Sequence, residues 1–343
     1  MGYNRGRWEF NYDGQSIQHE MKSISNQGVL GLKLDGNWIV SDDTVMQLAT
    51  ARALISGLTS RELLKEIAVQ YRACMKDMAH RSPGKMTMNS LEKIDKCGDG
   101  WDKIPFNEFA GGCGGSMRSS CIGLLYHRRS SISKLIEVSI ESGRMTHHHP
   151  TGFIGSFVSA LFNSYAIHNI QPKYWPNMFL EHKQDIINYI KQSGRDVDDN
   201  IQDCDFYFKF VKEYIDYRNL PRTKEGYGKH DLTLNPKFPN NYHQVHVYDK
   251  FYKDISYSGW GGSSGHDSII IALDALLYSN GDWETLCLHA MLHGGDNDTT
   301  GAIAGAWFGS LYGFKGVPYC HYEYLEYVDK LVKYGKTLYK MSN

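Results

Sequence analysis

The sequence is short of most features that would set it apart from ordinary globular proteins. It has no run of 18 apolar residues, so no membrane-spanning helix is expected. It has almost no net charge: 37 Lys and Arg oppose 38 Asp and Glu, leaving -1. No global field therefore favours nucleic acid or an anionic membrane, although a local basic patch is not excluded by that sum. Cysteines number only seven, an odd count, and no C-x-x-C pair occurs among them. Neither a disulfide framework nor a thiolate zinc site is expected, and a reducing compartment fits better. The opening stretch, MGYNRGRWEFNYDG, lacks the apolar core of a secretory signal. Gly6 stands where N-myristoylation wants Ser or Thr. Strand-like alternation is scarce and no βαβ spacing emerges. The expectation is a cytoplasmic, all-α protein with a sizeable core.

What is present is helical periodicity. After SDDT at 41–44, apolar residues Val45, Met46, Leu48, Ala49, Ala53 and Leu54 recur at three- and four-residue steps, with Ser41 or Asp42 as N-cap. A second helix is predicted from Ser60, as cap, to His80. Others are predicted at 115–127, 131–142, 151–169, 177–193, 204–219, 266–279, 283–293, 298–312 and 321–341. Residues 220–250 are rich in Asn, Lys, Tyr and Pro, and read as a surface insertion within a single domain spanning 1–343.

Two acidic clusters stand out. Ser41, Asp42, Asp43 and Thr44 put four oxygen-bearing side chains in a row. The far segment HGGDNDTTGAIAG, 293–305, supplies Asp296, Asp298 and Thr299 behind a sharp glycine turn. Either cluster alone is accounted for by helix capping, since the first turn favours acidic side chains. Together, four carboxylates at two helix starts suit a pair of hard divalent cations. Such a pair can fix a water and polarise a substrate oxygen.

Three further segments and one cysteine carry weaker signals. GGCGGSMR at 111–118 reads either as a flexible turn or as an anion cradle opening a helix, with Arg118 inside that helix paired to a core carboxylate. THHHP at 146–150 lacks the i, i+4 histidine spacing of a zinc helix. It is better read as a helix start or as hydrogen-bonding groups near acids. YSGWGGSSGHD at 257–267 sets Tyr257 and Trp260 among glycines and hydroxyls, which suits a purine or ribose as well as a buried turn. Cys113 has no recognisable histidine partner for a nucleophilic role.

Five of these segments, WIVSDDTVMQLATA, PFNEFAGGCGGSMR, SIESGRMTHHHPTG, SYSGWGGSSGHD and HGGDNDTTGAIAG, resemble in order those of the ADP-ribosylglycohydrolase family. The likeness is greatest to its ADP-ribosylarginine hydrolase branch. RGRWEF near the start and YGFKGVP near the end extend the resemblance over almost the whole chain. It implies a compact, orthogonal multi-helix domain with two Mg²⁺ ions at the bottom of a cleft. It implies hydrolysis of the N-glycosidic bond of ADP-ribosyl-arginine on proteins, releasing ADP-ribose and restoring arginine. By the same resemblance Ser41, Asp42, Asp43, Asp296, Asp298 and Thr299 are metal ligands, with Asp42, Asp43 and Asp298 also catalytic. Glu9 matches a family glutamate near the metals. Gly84, Lys85 and Met86 fall on a substrate loop, where Lys85 and Met86 are larger than expected. Gly112, Gly114, Gly115, Ser116 and Met117 would hold the diphosphate. Tyr257, Ser258, Gly259, Ser263 and Ser264 would line the adenosine side. ADP-ribosylated proteins and ADP-ribose are the implied partners, and a monomer is expected. The family's first helix, with its GDALG motif, is absent ahead of MGYNRGRWEF, so an exposed apolar strip is expected where it would dock. The alternatives are an inactive relative that only binds ADP-ribose, and a hydrolase of the serine linkage. The retained acidic motifs argue against the first. RWEF and THHHPTG favour arginine over the second, by resemblance.

Overall fold

Small residues let the central helix sit unusually close to its neighbours, and the rest of the molecule is arranged around it. The structure is a computed structural model describing residues 8–222 and 234–342. The chain begins with α1 (Gly14–Ile24), α2 (Asp42–Leu54), α3 (Ser60–Cys74), α4 (Lys85–Glu92) and α5 (Ser120–Leu125). Next come α6 (Ile132–Arg144), α7 (Pro150–Ile167), α8 (Trp175–Leu180), α9 (Lys183–Ser193) and α10 (Val197–Arg218). The last five are α11 (Val245–Asp254), α12 (Asp267–Ser279), α13 (Trp283–Met291), α14 (Asn297–Tyr312) and α15 (Val328–Ser342). The fold is all-α, and among the described residues the only β pairings are two isolated bridges, Gly112 with Ser264 and Gly261 with Gly295.

Helix α7 is buried from Pro150 to Ala166 and packs against α5, α6, α10, α12 and α14. A Cβ at Gly123 of α5 would lie 2.0 Å from the Ala160 carbonyl oxygen. One at Gly155 would lie 2.4 Å from that of Gly265. Beside α7, Phe162, Trp175 and Trp307 pack ring against ring with centroids 5.4–5.8 Å apart. Aromatic contacts of this kind add to the burial term.

Several boundaries depart from periodicity. The predicted 115–127 helix is a 3₁₀ turn at Cys113–Gly115 followed by α5, and the predicted 177–193 helix is broken into α8 and α9. Helix α10 starts at Val197 rather than 204, and α15 at Val328 rather than 321. The predicted 60–80 helix stops at Cys74, and its N-cap is Thr59, not Ser60. Helices α1, α4 and α11 were not predicted.

Of the 220–250 stretch, residues 223–233 lie outside the described residues. Residues 234–250 lie largely at the surface but are anchored at three buried residues, Tyr242, Tyr248 and Asp249. Tyr242, Tyr248 and Tyr252 are buried and form a second small core with Ile271. Arg218 and Asp274, both buried, pair at 2.6 Å, and Tyr214 and Tyr242 donate hydroxyls to Asp274 at 2.8 and 2.5 Å. The aromatic content that looked like a polar loop therefore fastens α10, α11 and α12 together. Residues 1–7, which carry RGR of RGRWEF, also lie outside the described part.

Candidate active site

Helices α2 and α14 start side by side, and that places the two acidic clusters against each other. Ser41 is the N-cap of α2, but its side chain accepts no backbone N–H of that helix and instead donates its hydroxyl to Asp43 Oδ2 at 2.8 Å. Asp296 is the N-cap of α14. The Thr299 hydroxyl crosses from α14 and donates to Asp43 Oδ1 at 2.9 Å. Glu9 reaches the same place from the segment before α1. Its carbonyl accepts from Trp260 Nε1 at 3.0 Å, and Trp260 in turn meets the rings of Phe10 and Tyr12. Phe10 and Tyr12 are about half exposed.

The carboxylates form two trios. Oxygens of Glu9, Asp296 and Asp298 lie within 4.8 Å of one another, and so do those of Asp42, Asp43 and Asp298. Asp298 belongs to both. Its Oδ1 and Glu9 Oε2 are buried with no hydrogen-bond partner among the described residues. Burial, and then the charge of acidic neighbours, raises every carboxyl of the group: Glu9 to about 10, Asp43 to about 8, Asp296 and Asp298 to about 7, and Asp42 well above its ordinary value. Three buried and two half-buried acids that resist ionisation through desolvation and mutual repulsion are a set of oxygen donors lacking positive charge. Divalent cations supply it, and the orphaned oxygens fit that role.

Cys113 lies between the clusters. Its thiol donates to Asp296 Oδ2 at 3.2 Å, and Thr299 Oγ1 is 3.7 Å from its sulfur. Burial and the charges of Asp296 and Asp43 push its pKa well up, so it is a thiol and not a ready nucleophile. Sequence reasoning missed this placement; position within the glycine segment gave the only signal for it.

The Cys113 amide donates to Ser263 O at 3.0 Å, and Gly112 pairs with Ser264. Two glycines of the 111–118 segment face the His147 ring: Cβ atoms at Gly112 and Gly114 would stand 3.1 and 2.4 Å from it. Ser116 and Met117 are buried, with the Ser116 hydroxyl on Cys113 O at 2.7 Å. Arg118 precedes α5 and has no carboxylate partner among the described residues. It donates to Ser142 O and Thr146 Oγ1, both at 2.7 Å, and lies over the Tyr71 ring at 4.3 Å, so carbonyl, hydroxyl and π face stand in for an acid.

The histidines behave as helix-start and positioning groups. His149 caps α7, accepting from Thr151 N, and its Nε2 lies 3.3 Å from Asp203. His148 Nδ1 meets Ile104 O at 2.7 Å. Gly84 precedes Lys85, the first residue of α4, and Met86 Sδ receives Asn107 Nδ2 at 3.9 Å. Three residues before Gly84, the Arg81 carbonyl accepts from the Asp42 amide at 3.3 Å, so the loop leaves directly from the first acidic cluster. Tyr257 is 61% exposed and stacks on Phe206. Ser258 is exposed beside it, and Gly259 takes a left-handed φ of 74° with open space around its Cβ position. Ser263 donates to Trp260 O, and the Ser264 amide to Asp267 Oδ1.

A sequence profile of the ADP-ribosylglycohydrolase family matches residues 4–343. The ADP-ribosylhydrolase ARH1 of Dictyostelium discoideum is 42% identical over 95% of this chain and 86% of its own length. A putative ADP-ribosyl glycohydrolase of Acanthamoeba polyphaga mimivirus is 30% identical over 92% of this chain and 62% of its own. A solved structure described as an ADP-ribosylglycohydrolase-related protein complex superposes with a TM-score of 0.59 at 17% identity, covering all of both chains. That last likeness concerns the fold.

Proposed function

The chain belongs to the ADP-ribosylglycohydrolase family, and from that premise we propose that it is a divalent-metal-dependent hydrolase of ADP-ribosyl-arginine on proteins. The observation that carries the proposal is the pair of carboxylate trios sharing Asp298. Glu9, Asp296 and Asp298 would hold one cation, and Asp42, Asp43 and Asp298 the other, with Ser41 and Thr299 adding hydroxyl oxygens. Two Mg²⁺ suit donors that are all oxygen, and when bound they supply Lewis-acid polarisation and a water of lowered pKa. Asp43 or Asp298 accepts the proton of the attacking water. The carboxylates stabilise positive charge growing at the anomeric carbon as the guanidine departs. Residues 112–117 offer backbone to a diphosphate. Tyr257, Ser258, Gly259, Ser263 and Ser264 line the adenosine side, and Gly84, Lys85 and Met86 are carried as a substrate loop. The arginine linkage, a cytoplasmic location and a monomeric state belong to this reading. The linkage and the monomeric state rest on the motif resemblance, and the location on an odd cysteine count with no C-x-x-C pair. The complete acidic set weighs against a chain that only binds ADP-ribose.

The test is turnover of two peptides, one ADP-ribosylated on arginine and one on serine, in excess Mg²⁺ or in EDTA. Release of ADP-ribose from the arginine peptide only, abolished by EDTA, is expected. ADP-ribose binding without release, or undiminished activity in EDTA, would overturn the proposal.

A further inference from the structure

Asp249 sits in α11 at 4% exposure, outside both acidic trios. Its carboxylate has backbone amides as partners. Oδ2 accepts from Gly14 N at 2.8 Å and Oδ1 from Gly294 N at 3.1 Å. These amides come from opposite ends of the chain. Gly14 follows Glu9 by five residues and opens α1, and Gly294 precedes Asp296 by two. One side chain therefore joins the two segments that deliver Glu9, Asp296 and Asp298.

The glycines are part of the device. A Cβ at Gly14 would lie 2.7 and 2.8 Å from the two Asp249 oxygens, so any side chain there would push the carboxylate off. A Cβ at Gly294 would lie 2.4 Å from Tyr12 O, so the two segments touch backbone to backbone. Two further stitches run alongside: Gly295 N to Asn11 O at 3.1 Å and Asn297 Nδ2 to Trp8 O at 2.9 Å. A carboxylate is costly to bury, and an asparagine would be cheaper. Asparagine, however, has one acceptor oxygen and would set its own NH₂ against the second amide. A two-amide clamp thus calls for aspartate. Capping α1 alone does not account for the Gly294 bond, because Asp13 already caps that helix by accepting from Gln15 N.

We propose that Asp249 is a positioning residue that fixes the register of the Glu9 segment against the Asp296–Asp298 loop, and thereby the affinity of the centre for divalent metal. The inference rests on the metal-centre reading above. Its test is Mn²⁺ binding, measured by calorimetry and by the electron paramagnetic signal of free Mn²⁺, on the full chain well below its melting temperature. Asp249→Asn is expected to weaken Mn²⁺ binding at least ten-fold, as loss of supporting groups around metal ligands does. Tyr242→Phe, which removes a buried hydroxyl from the same small core, serves as the comparison and is expected to stay within two-fold of wild type. If Asp249→Asn does not fold, Asp249→Glu, which displaces both oxygens by a methylene, is expected to show the loss. Wild-type affinity in the folded Asp249 variant, or an equal loss in Tyr242→Phe, would overturn the proposal alone. Absence of any Mn²⁺ isotherm with the wild-type chain would overturn the metal-centre reading and this proposal with it.

Discussion

Raising the pH of the metal-free protein from 7 to 8.5 is expected to lower its melting temperature. Burial, then acidic neighbours, holds Glu9 up to about 10, Asp43 up to about 8 and Asp42 well above its usual range. In this window the unfolded chain has already released those protons, while the fold retains part of them. Folded-state pKa values raised in this way mean stability that is lost as pH rises. The buried histidines act oppositely: desolvation lowers His147 to about 3 and His148, His266 and His293 to about 4. Their effect is spent above the ordinary histidine range, hence the lower limit at pH 7. Buried thiols begin to matter near their ordinary value of 9, hence the upper limit. One or two protons retained only by the fold cost about 1.4 kcal/mol each per pH unit, or about 2–4 kcal/mol across the window. An unfolding entropy of roughly 2 cal/mol/K per residue converts this to a fall of about 3–6 °C. Divalent cations replace the protons, so Mn²⁺ should raise the melting temperature more at pH 8.5 than at pH 7. At a hundred times Kd the gain is about 2.7 kcal/mol per site. Differential scanning calorimetry after EDTA treatment and dialysis, with and without Mn²⁺, reads both effects. A metal-free melting temperature that holds or rises over the window, or a metal-induced shift no larger at pH 8.5, would refute the reasoning.

Asp43→Asn should abolish hydrolysis of the arginine-linked peptide while raising the metal-free melting temperature at pH 7 by roughly 1–3 °C, because it removes a buried carboxyl that the fold must hold protonated; activity and calorimetry on one preparation check both halves. Gly294→Ala brings a methyl to 2.4 Å from Tyr12 O, and urea unfolding should show a loss of about 2–4 kcal/mol. Asp274→Ala leaves the buried Arg218 guanidinium without its acid and should cost about 3–5 kcal/mol by the same measurement, with Mn²⁺ affinity unchanged in the folded fraction.

The acidic clusters were legible because each stands at a helix start with a strong periodic signal behind it. SDDT before Val45 and GGDND before the Ala-rich run located α2 and α14 within a residue or two. That the two starts meet, through Thr299 and Asp43, is a long-range fact that spacing does not encode. Helix α11 escaped notice because VHVYDKFYKD buries tyrosines, whose hydroxyls read as polar in a hydropathy pattern yet find partners here: Tyr248 donates to Leu288 O. Arg118 was assigned an acid it does not have, since a π face and two oxygens 24 and 28 residues away leave no local trace. The glycine segment was read through its backbone amides. Two of its glycines, Gly112 and Gly114, also answer to a ring from 33–35 residues downstream, which occupies the space that side chains would need.

That ring has a bearing on how the loop can be altered. Because the imidazole of His147 stands where a methyl on residue 114 would project, the two positions behave as a single volume shared between them. Enlarging one alone produces a collision and shrinking the other alone opens a hole, so single-site libraries at either position will look intolerant. A paired exchange, Gly114→Ala together with a smaller residue at 147, is the shorter route to a reshaped loop.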